Sequence, residues 1–205
     1  NALNASLIGK AMGDTHPGVR KHGIILSERY PELLPLVINR INDKDLVVIF
    51  QAALSIGQFT NTDAEEALAA ILSRHGESPW FQTAVLSSGS GTRVAVLENL
   101  IRKHSFFSGE EQWKKTFLED LSYTIGSANE GKEINKLLDI LSSAPMNDKP
   151  AWQIPAIGGL KSGLTKSSTD ASVKQALETV QVSDAGQARE TLQKLKKLFS
   201  KMSSI

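Results

Sequence analysis

One phrase recurs along this chain: a helical segment with a small residue near its middle, a glycine, then a second helical segment. It runs first from Pro17 to Leu26 (PGVRKHGIIL), again from Leu46 to Gly57 (LVVIFQAALSIG), and a third time from Pro79 to Gly89 (PWFQTAVLSSG). Val19 and Val48 are 29 positions apart, and Val48 and Phe81 are 33 apart. Periods of roughly 20–50 residues belong to stacked units, because one helix pair cannot bury both its faces without a neighbour. The expected fold is therefore all-α: an α-α superhelix, or HEAT/armadillo-like solenoid, of antiparallel helix pairs.

The spacing of apolar residues predicts helices over about 17–29, 33–41, 46–57, 64–74, 79–88, 92–103, 132–141, 151–164, 170–180 and 185–202. A further helix follows Glu110 and Glu111, which suit a helix N-terminus, and is expected to stop at Gly126 or Ser127. It carries Trp113, Phe117, Leu121 and Ile125 at four-residue steps. The β-branched run 46–50 reads as helix, since Val48, Ala52 and Ser55 share a face at helical spacing. Pro17 and Pro79 suit first-turn positions, where a missing N–H costs nothing. Asn61 and the pair Ser183 and Asp184 read as N-caps. Pro145, Asp148 and Pro150 read as a break. Gly158, Gly159 and Gly163 lie in a segment whose Trp152, Ile157, Leu160 and Leu164 keep a helical period. Close helix–helix packing is the expected reason for these glycines. The chain is read as one domain over residues 1–205, with 166–205 forming C-terminal capping helices. Beginning at Asn1, it is expected to be a piece of a larger protein.

Composition removes several classes of function. There is no Cys, which excludes disulfide frameworks, thiolate zinc sites, thiol nucleophiles and c-type haem attachment. No run approaches 18 apolar residues, so no membrane span is expected. The formal net charge is +1, too small a field to recruit nucleic acid. Charge is slightly uneven: residues 161–205 hold eight Lys/Arg against four Asp/Glu.

The pattern Asp14-x-x-Pro17-x-Val19-Arg20 resembles the opening of a HEAT-type repeat. A wider likeness covers about residues 14–165. The segments QAALSIG (51–57), AEEALA (64–69) and RHGESPWFQTAVLSS (74–88) are similar to the helical-repeat region of large secreted bacterial proteins. Those proteins also carry a propeller resembling sugar dehydrogenases and often a c-type cytochrome domain. The resemblance implies a non-catalytic scaffold that positions neighbouring domains, in a periplasmic or extracellular setting. Ile49 and Gln82 stand where the first unit has Arg20, so any ladder of stacked Arg–Asp contacts is expected to be interrupted.

Candidate chemistry is sparse. His16, His22, His75 and His104 lack the spacing of a metal site and are read as helix-end or surface residues. Glu65–Glu66, Glu110–Glu111 and Glu119–Asp120 are adjacent pairs, and neighbours on a helix diverge by about 100° rather than converge. The serine pairs lie in no nucleophile elbow. The stretch 88–91 (SGSG) lacks the lysine and preceding strand of a phosphate loop. No enzyme activity, cofactor or metal is expected. Trp80, Trp113 and Trp152 are expected to pack between units, with Trp80, beside Pro79, the one left partly exposed. Second-layer Arg74, Arg93, Arg102, Lys103, Lys132 and Lys136, together with Trp80, are the candidate contacts for a partner. The expected partner is protein: flanking domains or another chain. The rival reading is a HEAT-like DNA glycosylase or other nucleic-acid-binding solenoid. It requires a strongly positive groove.

Overall fold

The computed structural model describes residues 3–109, 111–143, 149–169, 171–178 and 185–202, and among these it contains only helix, turn and bend, with no strand. The chain divides into two compact units, Asn1–Phe106 and Phe107–Ile205.

The first unit begins with a helix that periodicity from residue 14 onward does not reveal. This is α1, Ala5–Ala11, capped by Asn4, whose side-chain oxygen accepts a hydrogen bond from the Leu7 amide at 3.0 Å. Ile8 and Met12 bury one side of α1 against α2, Pro17–Ser27. Gly23 makes that crossing feasible: a Cβ there would stand 2.9 Å from the Met12 backbone nitrogen. The segment expected as one helix over 33–41 is broken into three pieces. Helix α3, Leu34–Asn39, lies between 3-10 turns at Pro31–Leu33 and Arg40–Asn42. Then come α4 (Leu46–Ile56), α5 (Thr62–His75), α6 (Pro79–Leu86) and α7 (Thr92–His104).

Side-chain pairs set the order of these helices. Arg20 near the start of α2 bonds Asp43 just before α4, and Glu28 at the end of α2 accepts from the Ser55 hydroxyl near the end of α4 at 2.6 Å. Phe50 meets Phe81 toward the front of α6, while the Gly89 amide beyond it donates to the Gly57 carbonyl beyond α4. Helices α2, α4 and α6 are thus parallel neighbours in a row. Helix α5 packs on α7, and α3 lies against α4 and α5. Ile24, Val48, Ile56, Leu68, Ile71, Leu72, Leu97 and Leu100 are fully buried. Burial of each such side chain contributes about 1.5–3 kcal/mol.

The second unit holds α8 (Gln112–Ala128), α9 (Gly131–Ser142), α10 (Pro150–Ser167), α11 (Ala171–Glu178) and α12 (Ala185–Met202). Helix α8 does not stop at Gly126 or Ser127. It ends at Asn129, which takes the left-handed conformation (φ 53°) and donates its amide to the Ile125 and Gly126 carbonyls. Asn is one of the few residues with a side chain that tolerate this cap. Gly126 serves packing instead. A Cβ on it would meet the Leu160 carbonyl oxygen at 2.6 Å. Gly159 faces the Glu119 carbonyl and Gly163 the Tyr123 carbonyl. The two pairs ascend together, so α8 and α10 run parallel with their backbones almost touching. Gly158 has open space at its Cβ position and takes no part. Helix α12 packs on α9 and α10, where Leu192, Leu195 and Phe199 are buried. Glu110, Pro145, Asp148 and the capping pair Ser183 and Asp184 lie outside the described residues.

Candidate interaction surface

The starts of α2, α6 and α10 share one construction. Each has proline as its first residue and a long polar donor three residues on: Arg20, Gln82 and Gln153. Each donor reaches back to a carbonyl upstream. Arg20 Nη1 donates to the Asp14 and Thr15 carbonyls at 3.0 Å, Gln82 Nε2 to Gly76 at 2.7 Å, and Gln153 Nε2 to Leu141 at 2.9 Å. All three side chains are buried. The Gly76 and Leu141 carbonyls lie at buried ends of α5 and α9, where a carbonyl must find a donor, whereas those of Asp14 and Thr15 belong to the exposed turn before α2. The charged ladder is interrupted at Ile49 and Gln82, as expected; α4, where Ile49 has no polar side chain, lacks the pin as well, and Gln82 restores it at α6. Arg20 alone of the three also forms a two-pronged ion pair, at 2.8 and 2.6 Å to Asp43. Burial works against the Asp43 carboxylate. Hydrogen bonds from Arg20 and the Asp45 amide, with the charges of Arg20 and Arg40, outweigh it and hold the Asp43 pKa below the ordinary range.

The structure separates the sequence-predicted contact residues. Arg93 is buried, and its Nη1 donates to the Ser88 carbonyl at 2.8 Å, so it leaves the set of surface contacts. Arg74 is exposed, with Nη1 on Asn42 Oδ1 at 2.7 Å. Arg102 donates to Asn99 and Lys103 pairs with Glu66 at 2.6 Å. Arg74 lies in the last turn of α5 and Arg102 and Lys103 in the last turn of α7; Arg74 and Arg102 bond neutral amides, and Lys103 is offset by Glu66. Lys132 and Lys136 are exposed on α9 in the second unit. The tryptophans also divide. Trp152 is buried edge-on against Phe107 with ring centres 5.0 Å apart, Trp113 is half-buried, and Trp80 is 72% exposed.

Trp80 is not isolated. It meets Phe50 edge-on at 6.4 Å, Phe50 meets Phe81 at 5.8 Å, and Phe81 stacks on His75 at 5.0 Å. Burial, with the nearby Arg74 charge, lowers the His75 pKa. This four-ring chain leads from the end of α5 to the start of α6. The opening turns of α2, α4 and α6 likewise leave Val19, Leu46, Val47 and Trp80 exposed, at 40–72%. The three helices are parallel neighbours, so these side chains line one edge of their row. Sequence reading singled out Trp80 alone. The signal for the others was that each falls in the first turn of a helix whose buried face begins at Arg20, Val48 or Phe81.

Two concavities are lined by described residues. In the first unit a groove of about 430 Å³ lies between α3 and α5, lined by Leu34, Pro35, Ile38, Asn39, Ile41, Asp63, Glu66, Ala67 and Ala70. In the second, a cavity of about 420 Å³ is lined by Ser142, Gln153, Arg189, Leu192, Gln193 and Lys196. Its Lys196 pairs with Asp139 at 2.7 Å, and Gln153 is the buried pin of α10. Among the described residues no three His, Asp or Glu converge on a point, and no helix is long and apolar enough to cross a membrane. His16 caps α2 by accepting from the Gly18 amide, His22 and His104 are exposed, and Glu111 pairs with Lys114. No protein family, curated protein or solved structure matches this chain.

Proposed function

We propose that this chain is a HEAT-like α-solenoid, right-handed in its winding, that serves as a non-catalytic interaction module for protein partners. The observation that carries this reading is the edge formed by Val19, Leu46, Val47 and Trp80. Single exposed apolar side chains are ordinary on protein surfaces. A row repeated at the same turn of three successive parallel helices is a surface built by the repeat itself. Large aromatic side chains at such places supply much of the energy in protein interfaces. Neighbouring domains of a larger secreted redox-type protein are the first partners to consider, an idea that rests on the resemblance over residues 14–165 alone. The net charge of only +1 and the pairing of Lys103 with Glu66 favour this reading over a nucleic-acid groove.

The test is photo-crosslinking in the cells that make the protein, with p-benzoylphenylalanine in place of Trp80 or of Ser73, which is exposed on α5. Protein adducts from position 80 and few from position 73 are expected. Equal yields from both positions, or none from either, overturn the reading. A polarisation titration with duplex DNA at two salt concentrations tests the rival. Micromolar binding with a steep salt slope would replace a protein partner with a nucleic acid.

A further inference from the structure

The groove between α3 and α5 has an apolar floor and an acidic lip. Ala67 and Ala70 sit one turn apart on α5, and their small side chains leave room that Leu34, Ile38 and Ile41 wall in from the other side. Asp63 and Glu66, also one turn apart on α5, stand at its rim. We propose that this groove docks a peptide segment of a partner protein in which one or two large apolar side chains stand next to a lysine or arginine.

Three features support that occupant. The first is shape. A volume of about 430 Å³ lies within the roughly 300–1,000 Å³ of small-ligand sites, but such sites bury 70–90% of their ligand. Here Pro35, Asn39 and Asp63 on the lips are themselves exposed, so the trough is open. An extended chain gains contacts beyond the lips that a small molecule does not reach. The second is charge. Asp63 is exposed at the lip, and Glu66 shares its charge with Lys103 at 2.6 Å. On the α3 side the nearest cation, Arg40, is drawn toward Asp43 at 3.8 Å. At the far end Arg74 is bound to Asn42. A ligand cation beside the apolar anchor therefore meets Asp63 at the start of α5, while the Arg74 charge stands at the other end of that helix. The third is rigidity. The Arg74–Asn42 bond at 2.7 Å links the turn after α3 to the end of α5 at the surface, and Leu34, Ile41 and Ala67 of the walls are themselves buried. A preformed groove lowers the ordering cost of binding.

The groove shares no lining residue with the α2, α4 and α6 edge, and the experiment keeps the two surfaces distinct. A random peptide library displayed on phage is panned on the protein, and enriched peptides are measured by polarisation. Expected are sequences with a large apolar residue beside Lys or Arg. Their binding falls at least tenfold on Ala70→Leu, a helix-compatible change that fills the groove. On Asp63→Lys the preference turns toward acidic flanks. Circular dichroism confirms that both variants fold. No enrichment, enrichment without basic residues, or binding unchanged by Ala70→Leu overturns the proposal. Peptides that survive Ala70→Leu but are lost on Trp80→Ser place docking at the other edge. That outcome removes the groove while leaving the interaction-module reading standing.

Discussion

The two units fasten parallel helices by opposite means. In the first, α2, α4 and α6 are held apart at side-chain distance and joined by groups that reach across: Arg20 to Asp43, Ser55 to Glu28, Phe50 to Trp80 and Phe81. In the second, α8 and α10 meet backbone to backbone at Gly126, Gly159 and Gly163, with Ser167 and Lys166 reaching across near the end. Side-chain fastening tolerates variation, because Gln can replace Arg and keep the carbonyl bond. Backbone fastening does not, because any side chain forces the helices apart. The glycines also lower intrinsic helicity by up to about 1 kcal/mol each relative to Ala. The close contact has to return more than that.

The sharpest way to break this contrast is a single methyl group. Gly159→Ala places a Cβ against the Glu119 carbonyl, and Gly163→Ala against the Tyr123 carbonyl. Neither obstacle is the end of a flexible side chain, so the helices themselves must separate. We expect each to lower stability by about 3 kcal/mol, the upper part of the overpacking range, in urea unfolding followed by circular dichroism. Gly158→Ala is the control one residue away. Its Cβ meets nothing within 4 Å, and the gain in helix propensity should raise stability by up to about 1 kcal/mol. Equal effects at 158 and 159 would refute backbone fastening.

Next in size is the ion pair of the first unit. Asp43→Asn keeps the shape and removes the charge that two arms of Arg20 hold at 2.8 and 2.6 Å. The expected loss is about 2 kcal/mol, that of a hydrogen bond to a charged group. The pH dependence has a definite sign. The folded pKa of Asp43 is depressed, so its contribution is complete above the unfolded value of about 3.9 and fades as pH falls through the lower folded value. Stability should therefore drop more steeply below about pH 4 in the native protein than in Asp43→Asn. Parallel acid limbs for the two proteins would count against the pair.

How far this was readable from sequence depended on the kind of force. Helices announced themselves wherever a buried stripe repeated at helical spacing, as in Ala67, Leu68, Ile71 and Leu72. The short α1 escaped because it offers only Ile8 and Met12 behind a cap at Asn4. Gly126 looked like a helix stop because glycine often is one, and only the neighbouring helix reveals that it is a contact point. Arg20 stood out as a motif residue, whereas Gln82, like Ile49, looked like a departure from the motif and Gln153 carried no signal at all. A carbonyl selects for an N–H donor, and sequence comparison by charge does not see that class. The α3–α5 groove was hidden for a related reason. Ala67 belongs to a core stripe, and the space beside Ala67 and Ala70 exists only because Pro35 and Ile38 stand across from them.

If the pin and not the ion pair is the common element, Gln153→Leu should show it without any change of charge. The Leu141 carbonyl would lose its donor in a buried place, at a cost of about 1.5 kcal/mol. Gln82→Leu should cost a similar amount through the Gly76 carbonyl. A double substitution whose cost is the sum of the two supports independent pins in independent units. Sites without shared partners are expected to add within about 0.5 kcal/mol.

The smallest effect on stability should come from the most conspicuous side chain. Trp80 is 72% exposed and touches Phe50 only edge-on, so Trp80→Phe should change stability by less than about 0.5 kcal/mol. Its optical effect should be large. Trp152 is buried and Trp113 half-buried, so acrylamide quenching of the isolated protein should come mainly from Trp80, and Trp80→Phe should remove most of it. A fold that spends a tryptophan where it adds little stability has placed it for something other than the core. Should quenching persist unchanged in Trp80→Phe, Trp80 is already covered in solution. The edge of α2, α4 and α6 would then be occupied by another copy of the chain and not open to a foreign partner.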